Sequence, residues 1–366
     1  MRFVIKLGTS TLTCGTKHLS PPLVIELVRQ IAALKSEGHE LILVSSGAIA
    51  AGRERLGFPH LPKEVPAKQM MAAVGQPRLM AFYEQIFGMY GVTVAQVLLT
   101  GMDLTNRRRY LNARNTLTAL VENGVLPIIN ENDTVATEEI RVGDNDNLSA
   151  LVANLTDADC LIMLTDQAGL FTADPRYDAE ACLIAEVAGK EIKPEIWQAA
   201  GYSSDPGLGT GGMITKLQAV DLARRCGALC VIAQGAEPEV LLRLVRGERL
   251  GTRFLPTATA VESRKRYILS GRQVPGRLTI DGGAAGALRR GASLLSVGVL
   301  KIAGDFGRGD TVRVEQEDET EIARGIVNYD SRDLTRILRR SSDEIESILG
   351  YYFGDEVIHH NNMAIL

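Results

Sequence analysis

Lys6 interrupts an apolar opening run, Phe3–Leu7, and Gly8, Thr9 and Ser10 follow at once. A lysine inside a buried strand is costly unless it reaches the rim or an anion. Gly8 leaves room for backbone to approach a ligand, and Thr9 and Ser10 add donors; an ordinary strand-end turn is the plainer reading. A second segment, Ser45-Ser46-Gly47, follows the apolar Leu41–Val44 and opens the small-residue run Ala48–Gly52. Main-chain N–H groups at such a helix start form a nest for an anion, although close helix packing would use the same small residues. A third group, Asn130-Glu131-Asn132-Asp133 and then Gly143-Asp144-Asn145-Asp146-Asn147, holds carboxylates and amides without a histidine. It lacks the late bidentate glutamate of an EF-hand, which leaves a solvated loop or a ligand crevice. The fourth joins Thr165-Asp166 to the glycine-rich stretch Gly207–Lys216. That stretch matches G-x-G-x-x-G in form, but it does not directly follow a strand and lacks the acid about 20 residues on that dinucleotide sites use. With no Gly-Lys-Ser/Thr it is not a Walker loop either. It reads as a loop entering a helix with Lys216 near the first turn, a geometry suited to a polyphosphate.

No G-x-S-x-G and no Cys/His pair occur, and the five histidines lack zinc-site spacing. What remains is two lysines, two glycine-rich nests and several carboxylates. Phosphoryl transfer needs alignment and charge neutralisation more than covalent help, and lysines, amides and magnesium supply both. An acceptor carboxylate is already ionised and needs no general base. The inventory fits a kinase for a small anionic acceptor.

These residues fall at the ends of short apolar runs separated by long amphipathic ones. Strands are expected at Arg2–Leu7, Glu40–Val44, Val92–Leu99, Val125–Ile129, Cys160–Leu164 and Leu229–Ala233. Most are continuously apolar, as in parallel strands covered on both faces. Helices are expected at Pro22–Glu37, with Ser20 as N-cap and proline in the first turn, and at Pro66–Met89, Asn106–Glu122, Asn145–Leu155, Met213–Cys226 and Pro238–Arg246. The alternation predicts an α/β domain with a mostly parallel sheet, whose ligands sit beyond the carboxyl ends of its strands.

At about 150 residues per domain, the 366 residues suggest about two domains. The pattern shifts near Thr257–Tyr267, read as an exposed link. Shorter alternating segments then follow: Arg277–Ile280, Val297–Ala303, Thr311–Gln316 and Glu321–Asn328, punctuated by glycine. They predict a small barrel-like β domain with one or two helices. The expected division is 1–258, a linker at 259–273, the small domain at 274–353 and a polar tail at 354–366 that exposes His359 and His360. The chain carries a net charge of −4. From Gln273 onward there are 11 basic and 15 acidic residues, so the whole excess lies in the small domain and the larger body is neutral. Such a balance offers no general attraction to nucleic acid or anionic membrane. No run of about 18 apolar residues suggests a membrane span, and the N-terminus does not read as a signal peptide. Five cysteines without a CxxC pair, two of them (Cys160 and Cys230) in apolar strand-like runs, read as reduced thiols in a cytoplasmic protein.

Six segments, in order, resemble the glutamate 5-kinase branch of the amino acid kinase family: Val4–Ser10, Ser45–Gly52, Asn130–Asp133, Gly143–Ser149, Leu164–Asp166 and Gly209–Lys216. The C-terminal part is similar to a PUA domain. The resemblance implies an αβα sandwich and ATP-dependent phosphorylation of the γ-carboxylate of L-glutamate, the first step of proline biosynthesis, with Mg2+ bound to ATP. It implies Lys6, Lys216 and Asp146 as catalytic residues, Asp146 orienting the lysines. Lys6, Thr165, Asp166, Thr210, Gly211, Gly212, Met213, Ile214, Thr215 and Lys216 would hold ATP, and Ser46, Asp133 and Asn145 would bind glutamate. Feedback inhibition by proline and a homo-oligomer, dimer or tetramer, come with it. Kinases of N-acetylglutamate, aspartate or uridylate are rival readings. So is an RNA-binding protein with a kinase-like body, for which Arg332, Arg336 and Arg340 would stripe one helix face. Against RNA stands the acidic balance of the small domain.

Overall fold

The apolar runs do become parallel strands in a computed structural model of the chain, which describes residues 1–57, 60, 64–136, 144–201, 212–259, 262, 268–269 and 274–366. β1 (Arg2–Leu7) pairs in parallel with β2 (Glu40–Ser45) on one side and β5 (Cys160–Thr165) on the other. With β3 (Val94–Leu99), β4 (Leu126–Glu131), β6 (Glu186–Val187), β7 (Leu229–Gln234) and β8 (Thr252–Phe254), the sheet runs β3-β4-β2-β1-β5-β7-β8-β6. Among the described pairs of this sheet only β7–β8 is antiparallel. β6 and β8, two and three residues long, leave no apolar run to read in the sequence. The chain leaves β1 toward β2 and later returns to β5 on its opposite side. That reversal opens a crevice beyond the carboxyl ends of the strands.

Strand periodicity sorts the side chains. Phe3, Ile5 and Leu7 of β1 and Leu41 and Leu43 of β2 join a core with Val24, Leu27, Val28 and Ile31 of α2 (Pro21–Ser36). Lys6 alternates to the opposite face. Ser20 holds the N-cap position of α2 but makes no side-chain capping bond, so this helix start rests on the fixed backbone of Pro21. Further helices among the described residues are α1 (Thr9–Thr13), α3 (Ala48–Leu56), α4 (Val65–Gly88), α5 (Gly101–Thr105), α6 (Arg107–Glu122), α7 (Asp144–Leu155), α8 (Pro194–Gly201), α9 (Met213–Arg225) and α10 (Val240–Val245). No separate pattern marks α1, α5 and α8, which are eight residues or fewer.

α3 and α4 touch backbone to backbone. A Cβ added at Gly75 would stand 1.8 Å from the Ala48 carbonyl oxygen, and one at Gly52 would stand 1.8 Å from that of Met71. Gly75→Ala is therefore expected to push the helices apart and to cost about 1–3 kcal/mol or more. The readout is a lower urea midpoint at unchanged m; an unchanged midpoint would contradict the packing.

The chain divides into two compact units, Met1–Thr105 with Asn112–Ala260, and Asn106–Leu111 with Val261–Leu366. The second holds β9 (Gly276–Ile280), α11 (Gly282–Arg289), β10 (Leu294–Leu295), β11 (Val299–Ala303), β12 (Thr311–Glu315), β13 (Glu321–Ile326), α12 (Ser331–Arg336), α13 (Ile345–Leu349), β14 (Glu356–Ile358) and β15 (Met363–Ile365). Its five-stranded sheet runs β11-β9-β12-β13-β15, and β10 pairs with β14. Residues 354–366 are thus no tail: β14 and β15 close the domain, and Val357 and Ile358 are fully buried in its core. Strands of three residues are too short to show an alternation. His360 is exposed as expected, whereas His359 is half-buried and its Nδ1 accepts the Asn361 N–H at 3.1 Å. Most of the expected linker at 259–273 lies outside the described residues. Within it, Ile268 is buried beside Leu111, Ile326 and Ala364 and is not part of an exposed link. The three-arginine stripe of the rival RNA-binding reading does not form. α12 ends at Arg336, Arg339 turns the chain with φ 59°, and Arg340 lies beyond, 3.6 Å from Glu344.

Candidate active site

Lys6 reaches across from β1 to the first turn of α7, where its Nζ lies 2.5 Å from Asp146 Oδ1. The other carboxylate oxygen takes two groups from α9. Lys216 Nζ lies 3.4 Å from Oδ2, and the Thr215 hydroxyl donates to Oδ2 at 2.7 Å. Gly212 caps α9, which sets Lys216 about one turn into the helix. Lys6, Asp146, Thr215 and Lys216 are all 6% exposed or less. Two ammonium groups thus share one carboxylate in a place that water hardly reaches.

The electrostatics follow from that count. Burial disfavours the charged form of Asp146, but Lys6 and Lys216 and the hydrogen bonds from Lys6 and Thr215 outweigh it. The carboxyl is held below its usual range and is ionised. For Lys6, burial and the repulsion of Lys216 outweigh the pull of Asp146, so its pKa falls below the ordinary lysine value. The cluster carries one positive charge more than its own carboxylate balances, and an incoming anion would supply the missing charge. Gly8 gives that charge access, since even a Cβ there would stand only 3.3 Å from Lys6 Nζ.

At the end of β5, the buried Thr165 donates its hydroxyl to Asp166 Oδ1 at 2.9 Å, and Ser10 Oγ lies 3.4 Å from the same oxygen. Asp166 itself is exposed. Met213 and Ile214 open α9. Thr210 and Gly211 lie outside the described residues, as does the loop from Gly207 to Gly211.

A second cluster gathers one residue earlier on α7. Asn145 Nδ2 donates to Ser46 Oγ at 3.0 Å and to Asn130 Oδ1 at 2.9 Å. Asn130 Nδ2 donates to Gln76 Oε1 at 2.8 Å. Gly47, with φ 107°, turns the chain between β2 and α3 and places Ser46 at the mouth of the crevice. Asn130 and Glu131, expected just after a strand, are the last residues of β4. Asp133 stands in the turn that follows, half-buried. The structure therefore brings Lys6, Asp146, Thr215 and Lys216 together, and Ser46 with Asn145. Gln76 had no motif to announce it, because it sits inside a long helix.

A sheet whose carboxyl edge presents buried lysines on one shared carboxylate, beside an amide and hydroxyl cluster, is the setting of a phosphotransferase. The chain belongs to the amino acid kinase family, whose model matches residues 1–234, and a PUA domain matches residues 276–349. Within it, the relatives that match the chain over its whole length include glutamate 5-kinases. That of Vibrio campbellii is 53% identical over 364 residues, covering 99% of this chain and 95% of its own. That of Deinococcus radiodurans is 52% identical over 367 residues and covers the whole of both chains. A solved UMP kinase from Bacillus anthracis is 17% identical with a TM-score of 0.47, over 70% of this chain and 96% of its own. The family resemblance carried by the six segments is borne out, and so is the C-terminal PUA domain.

Proposed function

We propose that the chain transfers the terminal phosphoryl group of ATP to the γ-carboxylate of L-glutamate, giving ADP and γ-glutamyl phosphate, the first step of proline biosynthesis. One observation carries the reading beyond family likeness: the adjacent residues Asn145 and Asp146 each anchor a different cluster. Asn145 belongs to the amide and hydroxyl group, Asp146 to the lysines. Two subsites on one helical turn suit an acceptor and a phosphoryl donor held side by side. Attack of one anion on another at ~3–3.5 Å is repulsive, and two cations offset that repulsion. Lys6 and Lys216 serve as those cations, Asp146 orienting both. The glutamate carboxylate oxygen forms the new bond to phosphorus while the bond to the ADP oxygen breaks, and no proton moves.

Ser46, with the Gly47 N–H, and Asn145 take the substrate's polar groups, and Asp133 its ammonium. Thr165, Asp166 and the run Thr210–Lys216 hold the nucleotide with Lys6. Magnesium enters with ATP. Among the described residues no group of three or more metal-binding side chains occurs, and Asp146 is already engaged by lysines. That donor set fits an ion that keeps phosphate and water ligands, and its chemistry is to neutralise phosphate charge. Proline, itself an amino acid, competes around the glutamate site. A homo-oligomer in the cytoplasm completes the reading; no described helix is long and apolar enough to cross a membrane.

The test is trapping. With ATP, magnesium, glutamate and hydroxylamine, γ-glutamyl hydroxamate is expected to accumulate, and N-acetylglutamate, aspartate or uridylate in place of glutamate should not support comparable ADP release. Absence of hydroxamate, or a preference for another acceptor, would reject the assignment.

A further inference from the structure

We propose that Gln76 is a positioning residue for acceptor recognition, setting Ser46 through Asn130 and Asn145. The proposal rests on the reading of Ser46 and Asn145 as the acceptor site. The Glu131 N–H can only donate, and it bonds Asn130 Oδ1 at 2.9 Å and Asn145 Oδ1 at 3.2 Å. On the β2 side, pairing of β4 ends at Ile129, so this N–H is available to side chains. Both amide oxygens are thereby fixed as acceptors, and both NH2 groups are directed elsewhere.

The rest follows in order. Asn130 Nδ2 donates to Gln76 Oε1, and Asn145 Nδ2 donates to Asn130 Oδ1 and to Ser46 Oγ. Having accepted from Asn145, the Ser46 hydroxyl directs its single proton to another acceptor, the role a substrate carboxylate oxygen fills. Turning the Asn130 amide over would set its NH2 against the Glu131 N–H and the Asn145 NH2, donor facing donor. Gln76 completes the favoured sense by accepting one of the two Asn130 Nδ2 protons. Asn130 is 2% exposed, so without Gln76 that N–H is buried and unpaired, and the amide leaves its place to find a partner. The backbone that carries Gln76 is held close to α3, because a Cβ added at the neighbouring Gly75 would stand 1.8 Å from the Ala48 carbonyl oxygen.

The experiment compares Gln76→Met, which keeps length and packing but removes the acceptor, with Asn130→Ala and the double variant. Gln76→Met is expected to raise the KM for glutamate about tenfold, the size of one aligned hydrogen bond, and to change the KM for ATP and kcat by less than about threefold. In the Asn130→Ala background, Gln76→Met should add almost nothing, because Gln76 acts only through Asn130. An unchanged glutamate KM in Gln76→Met overturns the proposal. So does an equal rise in the ATP KM, or the same fold-effect in both backgrounds. These failures differ from failure of the parent reading, in which the unaltered chain forms no hydroxamate from glutamate.

Discussion

Lys216→Ala is expected to lower kcat by ~10²–10³ and to leave the KM values for ATP and glutamate within about threefold of the parent chain. The size comes from analogy with removing one preorganised donor from a developing oxyanion. The split between kcat and KM comes from geometry. Lys216 is 3.4 Å from Asp146 and Lys6 is 2.5 Å away, so the shared carboxylate keeps its closer partner when Lys216 is removed. Ground-state binding loses one of two cations, but charge on the moving phosphoryl group peaks in the transition state, where the missing lysine matters most. The fold is expected to stand. Taking away the second ammonium leaves a balanced ion pair, so the urea midpoint should hold or rise. Steady-state kinetics and a denaturation curve on the same preparation check both halves. Near-normal turnover would remove Lys216 from the mechanism, and a collapsed midpoint would make its role structural.

Asp146→Asn is expected to be worse for both stability and activity. The substitution leaves Lys6 and Lys216 buried without a counter-charge, and breaking a buried pair from one side typically costs about 3–5 kcal/mol. The variant relieves that cost by shedding a lysine proton. In the variant, burial and mutual repulsion depress the folded lysine pKa even further than in the parent chain, where that of Lys6 is already lowered. Between this lowered value and the ordinary one, the unfolded chain binds more protons than the folded one, so stability rises with pH across that window. The deficit of the variant should therefore be largest near neutrality and shrink as the solution becomes alkaline. The acid side runs on Asp146 itself. Its folded pKa is lowered, so its contribution is present above the ordinary carboxylate value and is lost as pH falls through the folded one. That acid limb should be missing from the asparagine variant. Urea midpoints measured from acid to alkaline pH test this, and a variant parallel to the parent chain at every pH would refute it.

Why the lysine cluster was legible and the amide ladder only partly so has a physical explanation. Lys6 lies in an apolar strand two residues before Gly8, and Lys216 follows a glycine-rich stretch by one turn, so both are charges set close to a backbone with room for a ligand. Continuous apolar runs announced the central strands because those strands are covered on both faces. Gln76 is different: it lies inside α4, where any polar residue reads as a solvated position, and only the fold brings it to Asn130. Asn130 and Glu131 read as a loop because they are polar, yet they extend β4 to the crevice. β14 and β15 are too short to show a pattern, and α12 ends before Arg340.

The glycine contact between α3 and α4 bears on how this pocket could be redesigned. Ser46 and Gly47 lead into α3, and Gln76 follows Gly75 on α4, so the gap across the proposed acceptor site is set by backbone against backbone. Nothing in that seam can be trimmed to widen the cleft, because glycine already has no side chain to remove. A larger or smaller acceptor must be accommodated by exchanging the residues that line the cleft, with the two helices carried along as a fixed frame.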